Sequence, residues 1–235
     1  LKSSYTNAPV LTPAAAAGTV GVAFSAAVAI NERPATFAAQ NLPPGLALNA
    51  QTGAISGVPT KAGTYAVTVA ATNPNKLSSA TALRIDIAAL APQAQGTFTG
   101  YAGTGLTNAN RSVLGLVTMA VTPVGKITAK VTEQTAAYSF SGASWDETTV
   151  GGLYRVSLKT AAGEVLALTV NAEDGTLVGV ATNGAFGSPG QEVAGQRNAF
   201  LNKTDAGYVA ATNALARYKG YYTVALPVAD CAADG

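Results

Sequence analysis

The chain has 235 residues, with 14 Lys and Arg against 12 Asp and Glu, no His, one Cys and one Trp. The missing histidine excludes Ser-His-Asp and Cys-His catalysis and His-ligated metals, and the lone Cys231 excludes an intrachain disulfide or a multi-cysteine zinc site. A formal charge of +2 offers no basic field for nucleic acid, while 48% hydrophobic residues set the chain apart from disordered sequences.

The length allows one large domain or two ordinary ones, at roughly 100–200 residues each. No apolar run reaches the roughly 18 residues of a membrane span. The chain starts at Leu1 rather than Met, as expected of a processed product. The segment Leu1–Pro9 is a candidate docking or exchanged arm.

The first predicted strands come from alternation. Tyr65, Val67, Val69 and Ala71 share one face, and Thr64, Thr68 and Ala70 take the other. Leu83, Ile85 and Ile87 alternate with Ala82, Arg84 and Asp86. That period of two is the mark of a strand half-buried against a core. Between strands lie Leu42-Pro43-Pro44-Gly45 and Val58-Pro59-Thr60-Lys61-Ala62-Gly63. In each, Pro fixes φ and Gly tolerates positive φ, so each is a turn. Closely spaced strands joined this way predict a β-sandwich.

The stretch from Asn41 to Asn73, reading NLPPGLALNAQTGAISGVPTKAGTYAVTVAATN, closely resembles the bacterial putative-Ig domain, a cadherin- and dystroglycan-like sandwich. Gly18–Phe24 and Pro34–Phe37 fit the same family, and the resemblance covers about residues 8–88. It implies a spacer or adhesive module of an exported protein. Cadherin-like domains often bind calcium between modules. Here Glu32 and Asp86, with Asn31, Asn73 and Asn75, fall short of the six to eight oxygens that calcium takes. No metal and no cofactor is expected.

Ala89–Gly96 carries no charge, no aromatic residue and one Pro, and reads as a short linker. The expected organisation is an Ig-like sandwich over residues 1–90, a linker over 91–96 and a second all-β domain over 97–235. In that second region Thr97–Tyr101 opens a strand. Leu116–Thr122, the turn Pro123-Val124-Gly125-Lys126 and Ile127–Val131 read as a hairpin. Tyr138–Gly142 alternates aromatic with Ser. Val165–Val170 and Thr176–Val180 flank Asp174-Gly175, which predicts a type I′ hairpin turn. Tyr221–Leu226 reads as a last strand, and Asp205–Arg217 as a short helix or an aromatic-containing loop. About eight strands would make a β-meander or a small barrel, so the whole chain is expected to be all-β.

Four pieces of this region, Gly96–Tyr101, Gly115–Lys126, Tyr138–Gly142 and Tyr221–Pro227, resemble β-rich repeats that follow such Ig-like domains in large surface proteins of Verrucomicrobia-like bacteria. In those proteins a second hairpin set follows, so this chain is expected to be part of a longer unit.

Candidate chemistry is sparse. The acid pairs Asp146-Glu147 and Glu173-Asp174 do not make a glycosidase cleft: strand neighbours point to opposite faces, Glu173-Asp174 belongs to its turn, and Asp146-Glu147 reads as part of a loop. The sequons at Asn110 and Asn202 and the GxG spacing in Gly100–Gly105 stand without supporting context. Trp145, with Asp146, Tyr154, Tyr138 and Phe140 near it in sequence, is the candidate platform for stacking a sugar. Packing into the sheet core is its alternative. Tyr221, with Tyr208, Tyr218 and Tyr222, is a second candidate binding surface.

The expected function is therefore that of a non-enzymatic, structural or adhesive protein of a bacterial cell surface. Its partners would be copies of itself or other surface proteins, joined through β-edge addition. The alternative is a carbohydrate-binding module that uses exposed aromatics around Trp145.

Overall fold

The computed structural model describes residues 7–12, 14–31, 36–106, 112–148, 152–187 and 189–198, with the side chains of Glu147 and Thr148 left out. Residues 1–198 fall into one compact unit. The expected Tyr221 strand and surface, the Asp205–Arg217 segment, Cys231, Glu32 and most of the N-terminal arm lie outside the described residues.

The first half is built from β1 (Leu11–Thr12), β2 (Ala16–Thr19), β3 (Phe24–Ala27), β4 (Ala29–Ile30), β5 (Thr36–Gln40), β6 (Leu46–Leu48), β7 (Ala54–Gly57), β8 (Gly63–Thr72) and β9 (Ser78–Ala88). Strands β2-β9-β8-β5 form one sheet and β3-β7-β6 another, with β1 and β4 paired beside them. Only β2 and β9 run parallel; the other pairings in these sheets are antiparallel. Alternation decides what is buried. Val67, Val69, Ala71 and Ile85 are fully buried, with Leu83 and Ile87 nearly so, as their period predicts.

The segment between the halves is packed rather than loose. Leu90 and Ala94 are buried, and Pro92–Ala94 forms a 3₁₀ turn. The Gln95 side-chain amide donates to the Leu90 carbonyl at 2.6 Å. From the other end, Arg197 Nε donates to the Gln95 carbonyl at 2.6 Å, and burial lowers the Arg197 pKa.

The second half comprises β10 (Gly96–Thr104), β11 (Ser112–Val121), β12 (Ile127–Glu133), β13 (Ala137–Gly142), β14 (Glu147–Thr148), β15 (Leu153–Lys159), β16 (Val165–Asn171), β17 (Thr176–Thr182) and β18 (Gln191–Arg197). They form one antiparallel sheet in the order β13-β12-β11-β10-β18-β17-β16-β15-β14. Eight of these strands curl into a nearly closed barrel. At the seam β13 meets β15, where Gly142 lies against the Leu158 side chain. The interior is apolar and includes Phe98, Val117, Met119, Ile127, Leu166, Leu168 and Leu177, all essentially inaccessible. Together with the sandwich interior, these residues form one contiguous buried cluster. Apart from two short 3₁₀ turns, the regular structure of the described residues is all β in both halves, as the alternation predicts.

One turn differs from the sequence expectation. The β16–β17 hairpin exists, but its connection is longer than a two-residue type I′ turn. Gly175 has a φ of 74°, whereas Asp174 is not among the residues with positive φ. Side chains shape the loop instead. Asn171 Oδ1 accepts from Glu173 N at 2.9 Å, and Asp174 Oδ1 accepts from Thr176 N at 2.9 Å. These local bonds offer the backbone an alternative to the tight turn.

Candidate functional site

Trp145 lies in the short segment between β13 and β14, and that segment crosses to the sandwich half. Trp145 N donates to the Gly21 carbonyl at 2.8 Å, and Ala23 N donates to the Trp145 carbonyl at 2.9 Å. Between them, Val22 and Trp145 form a parallel bridge. The indole is fully buried, with its ring centroid 5.6 Å from that of Tyr154 at a tilt of 59°. Tyr154 is 6% exposed, and its hydroxyl accepts from Ala91 N at 3.4 Å.

The exposed aromatic platform expected around Trp145 is therefore not on the surface. Both rings are used to join the two halves, and sugar stacking at Trp145 would require that junction to open. The physical reason is area: a Trp–Tyr pair buries more apolar surface in a two-sided junction than on an open sheet face. The Trp145 Nε1 donor has no hydrogen-bond partner among the described residues, a cost the packing offsets.

Asp146 is exposed, but its role is structural. Its carboxylate Oδ2 accepts from Ser157 N at 2.7 Å, and its own N–H donates to the Arg155 carbonyl at 2.8 Å. The side chain thus occupies an amide on β15 beside the barrel seam, where a further strand would otherwise pair. A groove of about 450 Å³ runs past it, walled by Asp146, Arg155, Ser157 and Thr169.

The other carboxylates are held locally. Asp86 accepts from Thr64 Oγ1 at 2.7 Å and from Arg84 Nε at 2.8 Å. Those two bonds, the Thr64 hydroxyl foremost, lower its pKa. The Thr160 hydroxyl donates to the buried Glu164 and lowers its pKa, and the Thr176 N–H and hydroxyl lower that of Asp174. Asn73, named among the oxygens for calcium, instead holds its own turn: Oδ1 accepts from Asn75 N at 3.0 Å and from Leu77 N at 3.1 Å. No cluster of three or more metal-ligating His, Cys, Asp or Glu side chains occurs among the described residues. No helix among them is long and apolar enough to cross a membrane.

The structure brings forward a residue that the sequence reading passed over as a strand opener. Along β10, Phe98 and Ala102 point into the barrel, while Thr97, Thr99 and Tyr101 point out. Tyr101 is 56% exposed and is the one exposed aromatic among the described residues. Cross-strand register sets Leu116 opposite it on one side and Ala194 on the other, with Val178 beyond Ala194. The next outward row reads Thr99, Thr118, Lys130, Ser139, and the row after it Thr97, Ala120, Thr128, Ser141. A groove of about 560 Å³ lies over these two rows on β10–β13. The alternation of Phe98 and Ala102 with Tyr101 was the sequence signal for this orientation.

No sequence among curated proteins matches the chain. Among solved structures, it is similar to a "putative alpha-galactosidase/melibiase" of Bacteroides fragilis, at 31% identity over 37% of this chain, with a TM-score of 0.33. The aligned part spans only 19% of that chain. It is also similar to Drosophila N-cadherin EC1-4, at 13% identity, covering 80% of this chain and 48% of that one, with a TM-score of 0.31. A third is the Bacteroides ovatus mixed-linkage glucan utilization locus protein SGBP-B in complex with a mixed-linkage heptasaccharide. It shows 15% identity over 82% of this chain and 62% of that one, with a TM-score of 0.28. Residues 5–88, the sandwich half, match the family described as Putative Ig domain.

Proposed function

We propose that this chain is a non-catalytic structural or adhesive protein of the bacterial cell exterior, in which the Ig-like half carries and orients the barrel half. The observation behind this reading is the junction at Trp145. Two backbone hydrogen bonds and a buried aromatic pair fix the barrel to the loop after β2, so load and orientation pass between the halves without a free hinge. The Putative Ig domain match supports the spacer role of residues 5–88. The outward barrel rows, rich in hydroxyls and with Lys130 as their one charged side chain, support a contact surface rather than a reaction centre. Attachment through an added strand is not favoured at β15, because Asp146 occupies its Ser157 amide.

The test has two arms. Protease treatment of intact cells should release peptides of this chain, and beads coated with the purified chain should adhere to the producing cells or to one another. Retention of the chain inside the cells, or beads that adhere to neither, would overturn the reading. So would turnover of a chromogenic glycoside or ester by the purified chain.

A further inference from the structure

We infer that the outer face of β10–β13 is a binding face for a neutral polysaccharide, with Tyr101 as the stacking ring and the hydroxyl rows beside it as the polar wall. This rests on the adhesive reading above and names the ligand class for it.

Tyr101 is exposed by its register and not by chance. Its β10 neighbours Phe98 and Ala102 are fully buried, so the ring cannot turn inward without moving the strand across the pleat. It does not stand alone. Leu116, opposite it, is 47% exposed, and Val178, two strands away in the same row, is 53% exposed. A contiguous apolar row open to water marks a contact surface.

The chemistry beside that row selects the partner. A sugar ring is amphipathic, with an apolar CH face and a rim of hydroxyls. Tyr101 offers a flat apolar surface for the first. Thr99, Thr118, Thr128, Ser139 and Ser141, on strands about 4.8 Å apart, offer groups that both donate and accept for the second. Across these two rows Lys130 is the one charged side chain, and there is no carboxylate. One exposed cation is too little to hold a polyanion, and with no carboxylate in these rows a cation has no partner there, so the fitting glycan is neutral.

Competing occupants fit less well. Strands β10, β11 and β12 each have a neighbour on both sides, so a peptide could add as a further strand only along β13, at the rim of this face and not across it. Val113 and Leu114, 52% and 46% exposed on β11, lengthen the apolar row, but Tyr101 is the one exposed aromatic among the described residues, where a protein interface gathers several aromatic anchors at its centre.

The test is affinity electrophoresis of the full chain through gels containing β-glucan, xylan, galactomannan or α-mannan. Wild type should be retarded by at least one of them. Tyr101→Phe, which keeps the ring, should bind within about twofold, whereas Tyr101→Ala should lose at least about tenfold, the scale of truncating a central interface aromatic. Thr118→Val with Thr128→Val should weaken binding severalfold and leave the melting curve in place. No retardation of wild type by any of the four, or equal retardation of Tyr101→Ala, overturns the proposal. Self-association that Tyr101→Ala abolishes would also overturn it and assign the face to a second copy. Bead adhesion that survives in Tyr101→Ala would remove this site but leave the adhesive function standing; beads that never adhere remove the function itself.

Discussion

Gly21 and Gly125 meet backbone to backbone across the junction of the two halves. A Cβ on Gly21 would lie 2.5 Å from the Gly125 Cα, and one on Gly125 would lie 2.3 Å from the Gly21 Cα. Both also have positive φ, 74° and 82°. Gly21 is the residue whose carbonyl receives the Trp145 N–H, and Gly125 closes the β11–β12 turn. The sandwich loop and the barrel hairpin can approach this closely only because neither residue has a side chain.

Gly21→Ala and Gly125→Ala should each destabilise the chain by about 2–4 kcal/mol, combining left-handed backbone strain with a backbone clash. Urea unfolding monitored by circular dichroism measures it. Gly163→Ala is the comparison. It also has positive φ, at 100°, but a Cβ there would meet nothing within 4 Å, so it should lose less. Equal losses at all three would mean that strain alone acts and that the close approach contributes nothing.

Trp145 is the only tryptophan, so its fluorescence reports on the junction alone. Native emission should be blue-shifted and resistant to acrylamide, and both properties should vanish in one transition on unfolding. Trp145→Ala should cost about 3–5 kcal/mol, as expected for a fully buried large aromatic. Trp145→Phe should cost less, because it also removes the unpaired indole donor. Native emission that acrylamide quenches freely would contradict the buried junction.

Much of the fold was legible because strand alternation is a local signal. Val67, Val69 and Ala71, and Leu83, Ile85 and Ile87, declared their buried faces by period alone. Strand β18 was harder to read, since Val193 is its one buried apolar side chain and its place depends on pairing with β10 and β17. The burial of Trp145 was one of the two readings the sequence left open, but its place at the junction of the halves was not legible. It sits in an irregular segment with no period, and its backbone partners, Gly21 and Ala23, are remote in sequence. The exposure of Tyr101 follows from alternation, but the apolar and hydroxyl rows around it need cross-strand register, which a single strand does not carry.

Acid stability should follow the three carboxylates held below their ordinary values of 3.8 for Asp86 and Asp174 and 4.5 for Glu164. The unfolded chain binds protons first as pH falls, so stability rises with pH across that window. It is fully present above the unfolded values and is lost as pH drops through the folded ones. With no His, the melting temperature should be level between about pH 5 and 8 and fall below about pH 4.5. Thr160→Val removes the main cause at Glu164 and should shrink the acid-side fall. A melting temperature that drops between pH 8 and 6 would show that another group governs stability.

Asp146 guards the edge of β15. Removing its carboxylate leaves the Ser157 N–H without its acceptor on β15, the strand that meets β13 at the barrel seam. Because both residues are exposed, water can replace part of the bond, and Asp146→Ala should cost only about 0.5–1.5 kcal/mol. The larger effect should be on association, since an unprotected strand edge invites pairing with another chain. Sedimentation velocity should show concentration-dependent oligomers for Asp146→Ala and none for wild type. Asp146→Asn keeps an acceptor oxygen at the same reach and should fall between them. If Asp146→Ala loses stability yet stays monomeric at every concentration, the carboxylate only braces the β14–β15 connection, and the edge is protected by the approach of β13.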